Sequence, residues 1–258
     1  MKIQPKISLV GAGPGDPELF TLKGIKALQS AEVVLYDALV SEELLNYAPN
    51  ALKVFVGKRA GKHYQSQDQI NKLMIDFAFS HGHVVRLKGG DPFIFGRGHE
   101  ELQYASKFSI PCVVVPGLSS ATSLATLQNI PLTKRNMTQS FWVTTATNKM
   151  GKLTRDIRFA VESNATLVIL MGMGKLSEIT KIFKAFGKED MPVAVINNGS
   201  LSNEKIAVGK ISNIIDLVKE EGLSTPATII IGDVVSLHQN YQISQEKYSS
   251  ESYQLQSA

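Results

Sequence analysis

Val84-Val85-Arg86-Leu87-Lys88-Gly89-Gly90-Asp91-Pro92-Phe93-Ile94-Phe95-Gly96-Arg97-Gly98 reads as a strand that ends in a glycine pair. Arg86 and Lys88 fall on one face of that strand because side chains alternate along it. Two adjacent glycines at a strand's end let the backbone turn sharply and come close to a flat or polar ligand, with a plain tight turn as the competing reading. The pattern of an apolar, β-branched run followed by a helical period recurs at Ile7 to Val10, Val33 to Tyr36, Val54 to Val56 and Val113 to Val115. A second set follows at Phe141 to Thr144, Thr166 to Leu170, Val193 to Ile196, Ile206 to Val208 and Thr228 to Ile231. Ten strands alternating with helices predict an α/β fold of two domains, each built on a mainly parallel five-stranded sheet.

Between the two sets, Ser119 to Gln128 reads as a helix capped by Ser119 or Ser120, and Ile130 to Arg135 as a connector. The first domain is therefore expected over residues 1–135 and the second over 136–239. The stretch 240–258 turns rich in Ser, Gln, Glu and Tyr and is expected to be disordered. In the second half, Lys175 to Phe186 carries Leu176, Ile179, Ile182, Phe183 and Phe186 on one helical stripe, which predicts packing on the second sheet.

The chain of 258 residues is 43% apolar, enough for a sizeable core. One cysteine and five histidines exclude an internal disulfide framework and a cysteine-based zinc site, and no metal site is expected. Cys112 sits in an apolar run and reads as core. The apolar run near Met1 is too short for a signal peptide, and no stretch approaches the roughly 20 apolar residues that span a bilayer. A cytoplasmic protein without membrane contact is the expectation. The net charge of +4 is unevenly spread: between Ala51 and Arg135 eleven Lys or Arg stand against five Asp or Glu. A polyanionic partner for that half, or simply a solvated basic surface, would account for the imbalance.

Three loops follow strands, where α/β proteins carry their ligand sites. Gly11-Ala12-Gly13-Pro14-Gly15-Asp16-Pro17 departs from a dinucleotide fingerprint, because Asp16-Pro17 intervenes and the helix is expected only near Thr21. Asp37, at the end of the second strand, has three readings: an acid on the ribose of NAD, a catalytic base, or a turn residue. Pro116-Gly117-Leu118-Ser119-Ser120-Ala121 runs into a helix whose free N–H groups and hydroxyls suit a carboxylate or a ribose, although serine there is most often a cap alone. Neither a Gly-Lys-Ser/Thr phosphate loop, nor His-Glu-x-x-His, nor Gly-x-Ser-x-Gly occurs.

Taken in order, Val10 to Pro17, Tyr36 to Ser41, Val56-Gly57-Lys58-Arg59-Ala60-Gly61, Arg86 to Gly98 and Val115-Pro116-Gly117 resemble the motifs of the tetrapyrrole methylase family. Weaker echoes run through Ile130 to Thr133, Leu170-Met171-Gly172, Asn198-Gly199 and Thr225-Pro226-Ala227. The resemblance implies S-adenosyl-L-methionine as cofactor, bound in a cleft between two α/β domains and released as S-adenosyl-L-homocysteine. It implies methylation of a tetrapyrrole, uroporphyrinogen III at ring carbons C2 and C7, to give precorrin-2 for sirohaem or cobalamin. It also implies a homodimer and no nucleic-acid partner. Another family member acting on a later corrinoid intermediate is the alternative, and an NAD-dependent oxidoreductase a more distant one.

Residues matching the family's cofactor contacts are Pro14, Gly89, Gly90, Asp91, Ile94, Ser119, Ser120, Met171, Gly199 and Ala227. Asp37 and Lys58 match the positions of its proton acceptor and proton donor. A macrocycle that carries eight carboxylates would give the basic half a purpose. Lys58, Arg59, Lys62, Arg86, Lys88, Arg97, Lys134 and Arg135 are the candidates to grip it, with Arg59, Arg97 and Arg135 preferred because they lie in or beside motif loops. The chain departs from the family pattern at Thr145-Ala146-Thr147, at Ser200 and at His99.

Overall fold

A computed structural model of the chain describes residues 3–57 and 66–241. Lys58, Arg59, Lys62 and the tail segment 242–258 lie outside the described residues. Contacts divide the chain into two units between Ser119 and Ser120.

In the first unit the order is β1 (Lys6–Gly11), α1 (Leu22–Gln29), β2 (Val33–Tyr36), β3 (Leu52–Phe55), α2 (Gln67–His81), β4 (His83–Lys88), α3 (Gly98–Ser106) and β5 (Cys112–Val115). The five strands form one sheet in the order β3-β2-β4-β1-β5, and every pair is parallel. Alternation sorts the side chains onto two faces. Val10, Val34, Val85 and Leu87 meet Phe20, Leu28 and Leu44 on one face. Ile7, Leu9, Val33, Leu35 and Val84 meet Ile70, Met74 and Ala78 of α2 and Ala105 of α3 on the other. Helix starts follow local chemistry: Thr21 caps α1 through its hydroxyl, and Ser66 with Gln69 closes a capping box on α2.

The second unit runs α4 (Ser120–Leu127), β6 (Phe141–Thr145), α5 (Asp156–Glu162), β7 (Thr166–Leu170), α6 (Leu176–Ala185), β8 (Pro192–Asn197), β9 (Lys205–Lys210), α7 (Ile214–Glu220) and β10 (Ala227–Ile231). The expected strands are all present, but this sheet is mixed rather than mainly parallel. In the order β6-β7-β10-β8-β9 only β6 and β7 run parallel, and the other three pairings are antiparallel. The physical reason is that β8 and β9 are joined without a helix, which allows only an antiparallel pair, and β10 then inserts between β7 and β8 against both.

Two further expectations change. The boundary near 135 moves forward to Ser119, because Leu124 and Ala125 of α4, with Ile130, pack on Ala194, Ile196 and Ile230 of the second sheet. On α6, Leu176, Ile179 and Phe183 join the core as predicted, whereas Phe186 lies past the helix end and is exposed. Cys112 is half-buried against the first core, and burial pushes its thiol up to about 11. No helix among the described residues is long and apolar enough to cross a membrane.

Candidate functional site

Because every strand of the first sheet points the same way, the loops after β1, β4 and β5 share one edge. They touch backbone to backbone. Gly13 N–H donates to Gly90 O at 3.2 Å and Gly90 N–H donates to Gly13 O at 2.7 Å. A methyl group on Gly11 would lie 2.6 Å from Gly117 Cα and 2.6 Å from Gly90 O, so only glycine permits this approach. Asp91 ties the third loop in: its Oδ2 accepts from Gly117 N–H at 3.1 Å and its Oδ1 from Phe93 N–H at 2.8 Å. Gly90 adopts φ +68°, and a Cβ there would meet nothing within 4 Å, so the cradle is open where it turns. Pro14, Gly89 and Ser119 are half-buried around this opening, and Ile94 is exposed.

The first glycine loop runs into a 3-10 turn, Pro17–Leu19, capped by Asp16, and α1 starts only at Leu22. No helix N-terminus follows the glycines directly, so the phosphate site of a dinucleotide-binding loop is missing there.

Beside the cradle, at the ends of β2 and β4, four charged side chains meet. Arg86 Nη2 donates to Asp37 Oδ1 at 2.6 Å, and Arg86 Nε donates to Glu101 Oε1 at 3.2 Å. Lys88 Nζ reaches the same Glu101 oxygen at 2.9 Å, as does Gln67 Nε2 at 3.1 Å. Arg86, Lys88 and Glu101 are buried, while the Asp37 side chain is 28% exposed. Burial opposes the Arg86 charge, yet Glu101 and Asp37 outweigh it and hold the guanidinium above its usual value. For Lys88 burial wins: with Arg86 nearby, it lowers the ammonium despite Glu101.

This overturns part of the sequence reading. Arg86 and Lys88 do share a face, but that face is covered by α3, so they serve Glu101 and Asp37 and are not available to grip a substrate carboxylate. Arg97 is exposed and left-handed at φ 59°, at the start of α3, and its guanidinium pairs with Glu100. Glu101 went unnoticed in the sequence, although a signal exists. It shares the buried stripe of α3 with Gly98 and Ala105, where a carboxylate stands out among small residues.

In the second unit, Met171 follows β7, Gly199 follows β8 and Ala227 opens β10. The antiparallel register, Thr228 opposite Leu170 and Ala227 opposite Asn197, brings a strand's start level with two strands' ends. These three residues therefore occupy one edge, together with Thr145 opposite Leu170 and the buried Ala146. Met171 is exposed and left-handed at φ 55°, Ala227 is half-buried, and Gly199 packs against Leu124. Asn197 Nδ2 donates to Ser224 O at 2.9 Å and Pro226 O at 2.8 Å, which fixes the segment leading to Ala227. Ser120 begins α4, and Arg135 is exposed in the turn closed by Lys134 and Thr138.

Residues 6–215 match the family model of Tetrapyrrole (Corrin/Porphyrin) Methylases. The chain is 43% identical over 235 residues to a uroporphyrinogen-III C-methyltransferase of Methanocaldococcus jannaschii, covering 90% of this chain and 97% of that protein. It is 46% identical to a siroheme synthase of Actinobacillus pleuropneumoniae over 91% of this chain, but spans only 48% of that longer protein. A crystal structure of a Thermus thermophilus uroporphyrin-III C-methyl transferase, complexed with S-adenosyl homocysteine, superposes with a TM-score of 0.77 at 37% identity, covering 90% of this chain and 99% of the other.

Proposed function

This chain belongs to the tetrapyrrole (corrin/porphyrin) methylases, and from that membership we propose that it methylates uroporphyrinogen III at C2 and C7. S-adenosyl-L-methionine is the methyl donor, and the product is precorrin-2 by way of precorrin-1. The observation that carries the substrate is the 43% identity across 97% of the Methanocaldococcus uroporphyrinogen-III C-methyltransferase. The other activities of the longer siroheme synthases are not part of this proposal, since the chain spans about half their length.

The open glycine cradle fits a cofactor that must be approached by backbone. We assign Pro14, Gly89, Gly90, Asp91, Ile94 and Ser119 of the first unit to cofactor binding, with Ser120, Met171, Gly199 and Ala227 of the second. The cofactor, when bound, supplies an electrophilic methyl on a sulfonium. The protein's own work is to align that methyl with a ring carbon and to exclude water. A ring carbon that gains a methyl leaves the macrocycle with a proton to lose. Asp37 is the proposed acceptor: among the described residues only its Oδ1 is engaged, by Arg86, and its side chain is partly open. Lys58 is the proposed donor, and Arg59, Arg97 and Arg135 the proposed ligands of substrate carboxylates. For Arg97 this requires exchanging Glu100 for the substrate. A homodimer is the proposed assembly, checked by light scattering.

The test is incubation of the protein with S-adenosylmethionine and uroporphyrinogen III under reducing conditions, followed by mass spectrometry. Two added methyls on uroporphyrinogen are expected. A folded protein that binds S-adenosylhomocysteine but methylates only a later corrinoid would move the assignment to a sister enzyme. Tight binding of NAD instead would remove the methylase reading.

A further inference from the structure

We propose that Glu101 is a positioning residue for methyl transfer, holding the Asp37 carboxylate in its working orientation through Arg86. The proposal rests on the reading of Asp37 as the proton acceptor.

The geometry is that of a relay of fixed parts. Arg86 has four acceptors: Glu101 on Nε, the carbonyls of Leu87 at 3.1 Å and Leu35 at 3.5 Å on Nη1, and Asp37 on Nη2. A planar guanidinium bound on three sides cannot rotate, so Nη2 presents one direction to Asp37. Glu101 supplies the side that backbone does not. It is fully buried and projects from α3 onto β4, so its own position is set by helix packing.

The charge pattern supports a role beyond stability. All three donors to Glu101 converge on Oε1, and Oε2 is buried without a hydrogen-bond partner. A buried carboxylate bonded at one oxygen gives up stability that an apolar side chain of similar size would retain. What it contributes is a negative charge beneath two cations. Two carboxylates then balance Arg86 and Lys88, and Asp37 is not left as their only counter-ion. The ionisable groups around the relay are Asp37 after β2, Arg86 and Lys88 on β4, Glu101 on α3, and Cys112 on β5, which feels the Glu101 charge.

The experiment compares Glu101→Gln, Asp37→Asn and the double variant in the full chain. It measures kcat and KM with uroporphyrinogen III, S-adenosylhomocysteine affinity by calorimetry, and thermal melting. Glu101→Gln is expected to lower kcat roughly ten-fold with cofactor affinity within about two-fold, while adding no further loss to Asp37→Asn. The acid limb of its pH–rate profile is expected to move to lower pH, because two cations then face one carboxylate. An undiminished kcat in folded Glu101→Gln overturns the proposal and leaves the base assignment standing. So does an equal loss in the Asp37→Asn background. A wild-type rate for Asp37→Asn overturns the base assignment itself, and the proposal with it. If Glu101→Gln does not fold, Arg86→Lys provides the same cycle, since it keeps the charge and removes the fork; a loss additive with Asp37→Asn then overturns the proposal.

Discussion

The two sheets of this protein have the same number of strands and gather their loops by different means. In the first sheet all strands are parallel, so an edge collects only strand ends, and Gly11, Gly90 and Gly117 meet there as bare backbone. In the second, antiparallel β10 brings a strand start, Ala227, level with the ends that lead to Met171 and Gly199. The close approaches differ in kind as well. Gly11 is pressed against backbone of two other loops, whereas Gly199 is pressed against the side-chain methyls of Leu124. The parallel sheet thus makes a rigid cradle with the charged relay beside it, and the mixed sheet makes an edge whose packing can yield.

The sharpest test of that contrast is chemical. If the first unit holds the proton acceptor, Asp37→Asn should cut kcat by about 10² to 10⁴-fold with little change in S-adenosylhomocysteine affinity, read by steady-state kinetics and calorimetry. A similar loss from a second-unit residue such as Thr145 would instead divide the chemistry between the units. Next in size is a pair of matched substitutions. Gly11→Ala drives a methyl into fixed backbone and should cost about 2 to 3 kcal/mol in denaturant unfolding. Gly199→Ala meets atoms that can rotate away and should cost roughly 1 kcal/mol. Equal costs would show that the two edges are equally rigid.

The smallest expected effect concerns the opposite end of the first sheet, where burial disfavours the charged form of His83. Its Nε2 lies 2.8 Å from Ser8 Oγ and its Nδ1 lies 2.9 Å from Ser30 O, and burial, with nearby Lys6, lowers its pKa despite the Ser30 carbonyl and Glu32. Below the ordinary value of 6.5 the unfolded chain then binds a proton that the folded chain resists. Stability should therefore fall as pH drops through and below that value, and thermal melting of His83→Gln should show a shallower decline over the same range. A slope unchanged by the substitution would assign the acid sensitivity elsewhere.

Much of the fold was legible because it depends on short-range pattern. Runs such as Val33 to Tyr36 and Thr166 to Leu170 are strands by composition and length alone, and the helix start near Thr21 follows from local side-chain chemistry. The three glycine loops were legible for the same reason, since glycine at a strand's end is a local signal. The partner of Arg86 and Lys88 was not: alternation puts both on one face, but whether that face meets solvent or α3 depends on a packing choice outside the strand.

Sequence alone therefore determined the ten strands, the α/β class, the glycine-rich loops and the family they resemble, because each is written in residues close along the chain. Tertiary structure decided the direction of β10, the membership of α4 in the second unit, and the use of Arg86 and Lys88 as internal counter-ions to Asp37 and Glu101. Those outcomes depend on which distant surfaces pack together, and a buried charge goes where packing offers it a partner.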